Sequence, residues 1–126
     1  MILTLNMSDD LPIYKQIYDG IVLGIASSEL REGEPLPSVR QLALEIGVNI
    51  HTVNKAYNLL RQDGFIQMRR REGAVIYPDK ALTDTDIARI SSLLLSAAAQ
   101  AKSKEMKEES FLRLCSELYS SLVKGE

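Results

Sequence analysis

At 126 residues, 45% hydrophobic and 25% charged, the chain has the size and composition of one soluble domain, or of one domain with a helical appendage. Its net charge of −2 does not advertise a nucleic-acid partner, so any such partner has to be met by local charge. A single cysteine, Cys115, cannot close an internal disulfide, and no stretch approaches the roughly 18 apolar residues of a membrane span. The N-terminus MILTLNMSDD lacks the basic start and long apolar run of a signal peptide, so a cytoplasmic protein is expected.

Residues 1–6 alternate weakly, as a short strand or an arm would. Pro12 suits a first helical turn, with Asp9 or Asp10 as capping candidates. Ile13, Ile17, Ile21 and Ile25 then repeat every fourth residue beside Tyr14 and Tyr18, predicting a helix to about Ser28 with the tyrosines packed along it. LREGEPLP follows as a loop, since Gly33, Pro35 and Pro37 oppose a regular element.

Ser38 is a good N-cap for a short helix with Val39, Leu42, Ala43 and Ile46 on its apolar face. Gly47 ends that helix by tolerating positive φ. Asn49 caps the next helix, whose inward face is Val53, Ala56, Tyr57 and Leu60, and Gly64 stops it. FIQMR and AVIY read as two strands around the turn RREG. From Leu82 onward everything looks helical. Thr83 and Asp86 have capping-box spacing, and Ile87, Ile90, Leu94, Ala97 and Ala101 make a stripe. A break falls near Ser103 to Lys107, and Phe111, Leu114, Cys115, Leu118 and Leu122 mark a last helix.

Helix, helix, tight turn, helix and hairpin is the order of a winged helix-turn-helix, in which the helix after the turn enters the DNA major groove. That helix must offer hydrogen-bonding groups to phosphates and base edges. Taking Val53 as the inward direction, ~100° per residue turns His51, Lys55, Asn58 and Gln62 outward and leaves Thr52 and Asn54 on the flanks. From Asn49 to Gly73 five basic side chains stand against two acidic ones, a net +3. Three of the five, Arg69, Arg70 and Arg71, sit at the hairpin tip, where long cations suit phosphates or a minor groove. Arg40, one turn into the preceding helix, is placed for a phosphate at the groove edge.

These residues also carry a resemblance. PIYKQIYD, LPSVRQLA, GVN-x-x-TV-x-KAY and LRQDGFI resemble the N-terminal domain of the GntR family of bacterial transcription regulators, over about Leu11 to Tyr77. A short helical tail in place of a large ligand-binding domain is similar to the YtrA-like subfamily. The resemblance puts Arg40, Asn49, His51, Thr52, Asn54, Lys55 and the wing around Arg70, Arg71 and Gly73 on DNA-contacting positions. With Ser38 and Arg69, they form the expected DNA-binding set. Two departures stand out. Ile50 and His51 occupy places where relatives often carry Pro and Asn, which bears on the bases read. REGAVIY replaces the usual Gly-x-Gly wing, which bears on its shape.

The expected fold is therefore mainly α with a small β-hairpin: a winged helix-turn-helix over residues 1–80 and a two-helix dimerisation tail over 81–126. Two apolar stripes on a short tail cannot both be buried against a small winged domain, whereas a twin can cover them. Ile90, Leu94, Ala97, Phe111, Leu114, Leu118 and Leu122 are the expected dimer interface. The expected function is sequence-specific transcription regulation, as a repressor, by a homodimer on a roughly palindromic operator, with room for an unidentified small-molecule effector. A winged helix used only as a protein-interaction scaffold is the rival reading. His51 stands alone, without a second His, a nearby Cys or paired carboxylates, and no phosphate loop or nucleophile triad is present. No catalytic, metal or cofactor site is expected.

Overall fold

The computed structural model describes residues 3, 5–7 and 10–122. Five helices and one hairpin appear in the order α1 (Ile13–Ala26), α2 (Val39–Ile46), α3 (Ile50–Gln62), β1 (Ile66–Arg69), β2 (Gly73–Ile76), α4 (Asp84–Ser103) and α5 (Glu108–Ser121). The chain divides into two compact units, with the boundary between Asp79 and Lys80.

In the first unit, α1, α2 and α3 close on the inner face of the hairpin. Ile17 and Ile21 of α1, Leu42 of α2, Val53, Ala56 and Leu60 of α3, and Ile66 and Ile76 of the hairpin are all buried. The four predicted inward residues of α3 are the four that are buried. On α2, Leu42 and Ala43 are buried while Val39 and Ile46 lean on the core from its rim. Each fully buried Ile or Leu contributes about 1.5–3 kcal/mol by leaving water, so this small unit rests on a handful of side chains. Two tyrosines lock its edges. Tyr18 donates a hydrogen bond to Asp63 just past α3 and meets the Phe65 ring edge-on. Tyr57 donates to the Pro37 carbonyl at 2.7 Å, and burial raises its phenol above the usual tyrosine range, so the donor stays protonated.

Two local expectations need correction. Asp10 does not cap α1, whose N-cap is Pro12 with no side-chain bond. A capping side chain belongs to the N-cap residue itself, and Asp10 stands two residues ahead of Pro12; Asp9 lies outside the described residues. Instead Gln16 reaches back, accepting from the Asn6 N–H at 2.8 Å and donating to the Asn6 and Leu11 carbonyls. That holds the N-terminal arm, and Leu3 and Leu5 pack on the core; the strand-or-arm reading of residues 1, 2 and 4 lies outside the described residues. Second, α1 ends at Ala26, two residues early, because Ser28 turns left-handed at φ 63° and lets the Leu30 N–H reach the Gly24 carbonyl. A Cβ on Gly24 would meet the Leu30 side chain at 2.9 Å, so any larger residue there requires that side chain to shift.

The loop after α1 holds no regular element, as expected, yet it is tied to the hairpin. Pro35 bridges Val75, with Leu36 donating to Ala74 at 2.8 Å and Ile76 donating to Glu34 at 2.8 Å. Proline is tolerated because the ladder bonds here come from its neighbours. β2 thus runs between two partners, which buries Ala74, Val75 and Ile76 in succession. β1 buries only Ile66, since Met68, on the same face, lies beyond the reach of the core.

The second unit is a helical hairpin of α4 and α5. Thr83 and Asp86 form the expected capping box, each side chain accepting the other's backbone N–H at 3.1 and 3.0 Å. These bonds, the Thr83 N–H first, and Arg89 at 2.7 Å hold the Asp86 carboxyl below the usual carboxylate range. The break comes between Ser103 and Glu108, with Glu105 at φ 60°. Leu122 stands just past the end of α5 as its C-cap. Neither helix contains a buried residue. No helix among the described residues is long and apolar enough to cross a membrane.

Candidate nucleic-acid interface

The surface of interest starts from one glycine. Gly47 adopts φ 69°, which lets Val48 donate back to the Ala43 carbonyl at 3.0 Å and turns the chain within two residues. A side chain at that φ is strained. Ser38 and Asn49 begin the helices on either side. Ser38 Oγ accepts the Gln41 N–H at 3.0 Å, and Asn49 Oδ1 accepts the His51 N–H at 2.8 Å. Both side-chain oxygens are occupied by capping, so these two residues set the helix ends before they do anything else.

With Val53, Ala56 and Leu60 fully buried, the opposite side of α3 is fixed outward. His51, Asn54, Lys55, Asn58 and Gln62 are exposed, while Thr52 is half-buried. Asn54, placed on a flank by sequence, is as open as the central residues. Arg40 is exposed on α2. Among the described residues Arg40, Arg70 and Arg71 make no ion pair.

Lys55 is different. Its Nζ lies 3.9 Å from the centre of the Tyr14 ring, on α1. Sequence periodicity placed Tyr14 with the core, and the half-buried ring does pack against it, but it also lies against the ammonium of a surface lysine. No pattern within either helix could have paired them, because the contact depends on how α1 and α3 cross.

The wing sorts its three arginines. Arg69 pairs with Gly73 across the ladder, so only Arg70, Arg71 and Glu72 form the loop, and Gly73 supplies the left-handed φ of 74° that closes it. Arg69 folds back with its guanidinium 5.2 Å from the Tyr77 ring and 3.8 Å from the Glu72 carboxylate. It is engaged within the hairpin, whereas Arg70 and Arg71 project from the tip, exposed. Among the described residues no cluster of His, Cys, Asp and Glu could hold a metal ion. The groove of about 450 Å³ between the end of α3 and the hairpin is wide open and lined by Arg61, Gln67, Met68 and Tyr77, among others.

Comparison with known proteins places this geometry. A model described as bacterial regulatory proteins of the gntR family matches residues 13–76, which spans α1 through β2. The uncharacterized HTH-type transcriptional regulator YhcF of Bacillus subtilis is 32% identical over 97 residues, 77% of each chain. The HTH-type transcriptional repressor YtrA of the same organism is 40% identical over 65 residues, 52% of this chain and 50% of its own. Other curated relatives are covered over 54% of their length down to 14%. Among solved structures, a transcriptional antiterminator from Listeria monocytogenes superposes with a TM-score of 0.87 at 29% identity, covering 100% of this chain and 96% of that one.

Proposed function

Since the chain belongs to the GntR family of bacterial regulatory proteins and is a DNA-binding transcription regulator of its YtrA-like branch, we propose that it acts as a homodimeric repressor on a roughly palindromic operator. In this reading α3 lies in the major groove and presents His51, Asn54 and Lys55 to base edges. Thr52 and Asn49 meet the groove wall, and Ser38 and Arg40 meet the phosphates beside α2. Arg70 and Arg71 grip phosphates from the wing tip, which Gly73 shapes. Arg69 is assigned to holding the hairpin.

The observation that carries the reading is the division of α3. One side is sealed into the core, and the other offers exposed amide, imidazole and ammonium groups beside a wing with two exposed arginines. A scaffold for protein partners has no need of that polar, basic face.

The tail supports the dimer. Ile90, Leu94, Leu114 and Leu118 are 43%, 52%, 42% and 59% exposed, a large apolar area for a soluble chain to leave in water. Ala97 is exposed too, while Phe111 and Leu122 are half-buried. A two-fold partner would cover the stripe and set two α3 helices about one DNA turn apart. Repression follows from steric exclusion once such a dimer occupies promoter DNA, and it is the activity named for the YtrA relative.

Selection of bound fragments from a genomic DNA pool, followed by footprinting, tests the proposal. Two protected half-sites related by a dyad are expected. Equal retention of all fragments, or protection of a single half-site, would overturn it.

A further inference from the structure

We propose that Tyr14 is a positioning residue for DNA binding: its ring holds the Lys55 ammonium in place for a phosphate or a base edge without neutralising it. The inference rests on the DNA-binding reading of α3 given above and adds a residue of α1 to it.

Lys55 extends from the exposed face of α3, where a lysine normally samples many rotamers and loses that freedom on binding. Here its Nζ sits 3.9 Å from the Tyr14 ring centre. A cation over a tyrosine face is held by the ring quadrupole. Tyr14 itself is half-buried in the second position of α1 and leans on the core, so the platform is fixed rather than floppy. Among the described residues, no carboxylate lies within ion-pairing distance of Lys55.

That last point decides the sign. A carboxylate partner would have to be displaced before the ammonium could meet DNA. A ring leaves the full positive charge in place and occupies only one side of a group with three N–H donors. The wing shows the opposite arrangement, since Arg69 has both a ring and the Glu72 carboxylate and is thereby engaged at home. Tyr14 therefore pre-organises Lys55, whereas Glu72 restrains Arg69.

The test is a double-mutant cycle on the full chain, read as affinity for duplexes enriched by the parent protein from a random-sequence pool. Tyr14→Met keeps bulk and apolar packing but removes the ring face. It should weaken binding about two- to fivefold, the size of an exposed cation–π contact. Tyr14→Phe should bind as the parent does. In a Lys55→Gln background, Tyr14→Met should have no further effect, and thermal unfolding of each variant confirms that it is folded. Equal losses for Tyr14→Met with and without Lys55 would show a role independent of the lysine and overturn the proposal. So would a loss in Tyr14→Phe, which would put the hydroxyl on DNA, or tighter binding by Tyr14→Met, which would make the ring a trap. Should Tyr14→Met not fold, Lys55→Gln decides alone: binding equal to the parent's leaves nothing for Tyr14 to position. Failure of the parent to enrich any duplex is a separate outcome, and it would remove the DNA-binding reading itself.

Discussion

The two units of this chain are patterned alike and packed in opposite ways. Both carry apolar residues at helical spacing, yet every buried hydrophobic among the described residues lies between Ile17 and Ile76, and α4 and α5 bury none. In the winged unit three helices and a hairpin meet at one point, so each stripe faces several neighbours. In the tail α4 and α5 pair with each other, and that pairing buries no residue of either helix. An amphipathic stripe thus states that something covers it. It does not state whether the cover is the same chain.

Breaking the winged unit should have the largest effect. Leu60 is fully buried, and Leu60→Ala should cost about 2–5 kcal/mol by lost burial plus cavity. Chemical unfolding would show it as a lower midpoint, with loss of DNA binding in parallel. The tail should respond differently. Leu118→Asp, at a site 59% exposed in the single chain, should leave the winged unit's unfolding midpoint unchanged. It should yield monomers in sedimentation, since each leucine removed from a dimer interface forfeits about 1.5–3 kcal/mol per protomer. A dimer of unchanged affinity would place the interface elsewhere.

Within the winged unit the contrast sharpens between helix and wing. Asn54→Ala should cost about 1–3 kcal/mol on the selected site if a base-edge pair is lost, and much less on random duplex. Equal weakening on both would make Asn54 a backbone contact. The smallest expected change is in salt dependence. Replacing Arg70 and Arg71 together by Ala should flatten the slope of log affinity against log salt by roughly 0.9 per contact, on specific and random DNA alike. Loss confined to the selected site would place an arginine in a minor groove, and an unchanged slope would leave the tip as a solvated turn.

Most of the fold was legible because its signals are local. Periodicity gave the inner faces of α1, α2 and α3, and Ser38, Asn49 and the Thr83–Asp86 pair marked helix starts that the structure keeps. Asp10 misled because the chain enters α1 through Pro12, which takes the N-cap position two residues further on. Pairing of Glu34 to Leu36 with β2 was hidden, being non-local and centred on a proline. At the candidate site, sequence gave the direction of each α3 side chain but not its company. Lys55 on Tyr14 and Arg69 on Tyr77 are rotamer choices made by neighbouring elements, so three arginines that look equivalent in the sequence divide into one engaged and two projecting.

The strand-like stretch around Pro35 also bears on how such a protein changes. β2 is stitched on one side to β1 and on the other to the segment leading into α2, by bonds from Gly33, Leu36 and Ile76 of 2.7 to 2.8 Å. The base of the wing is therefore part of the chassis, while its tip is three residues between Arg69 and Gly73. A longer, shorter or differently charged tip can be fitted to that base without repacking the interior. The wing then behaves as an exchangeable attachment, whose length and charge can be retuned while α3 stays as it is.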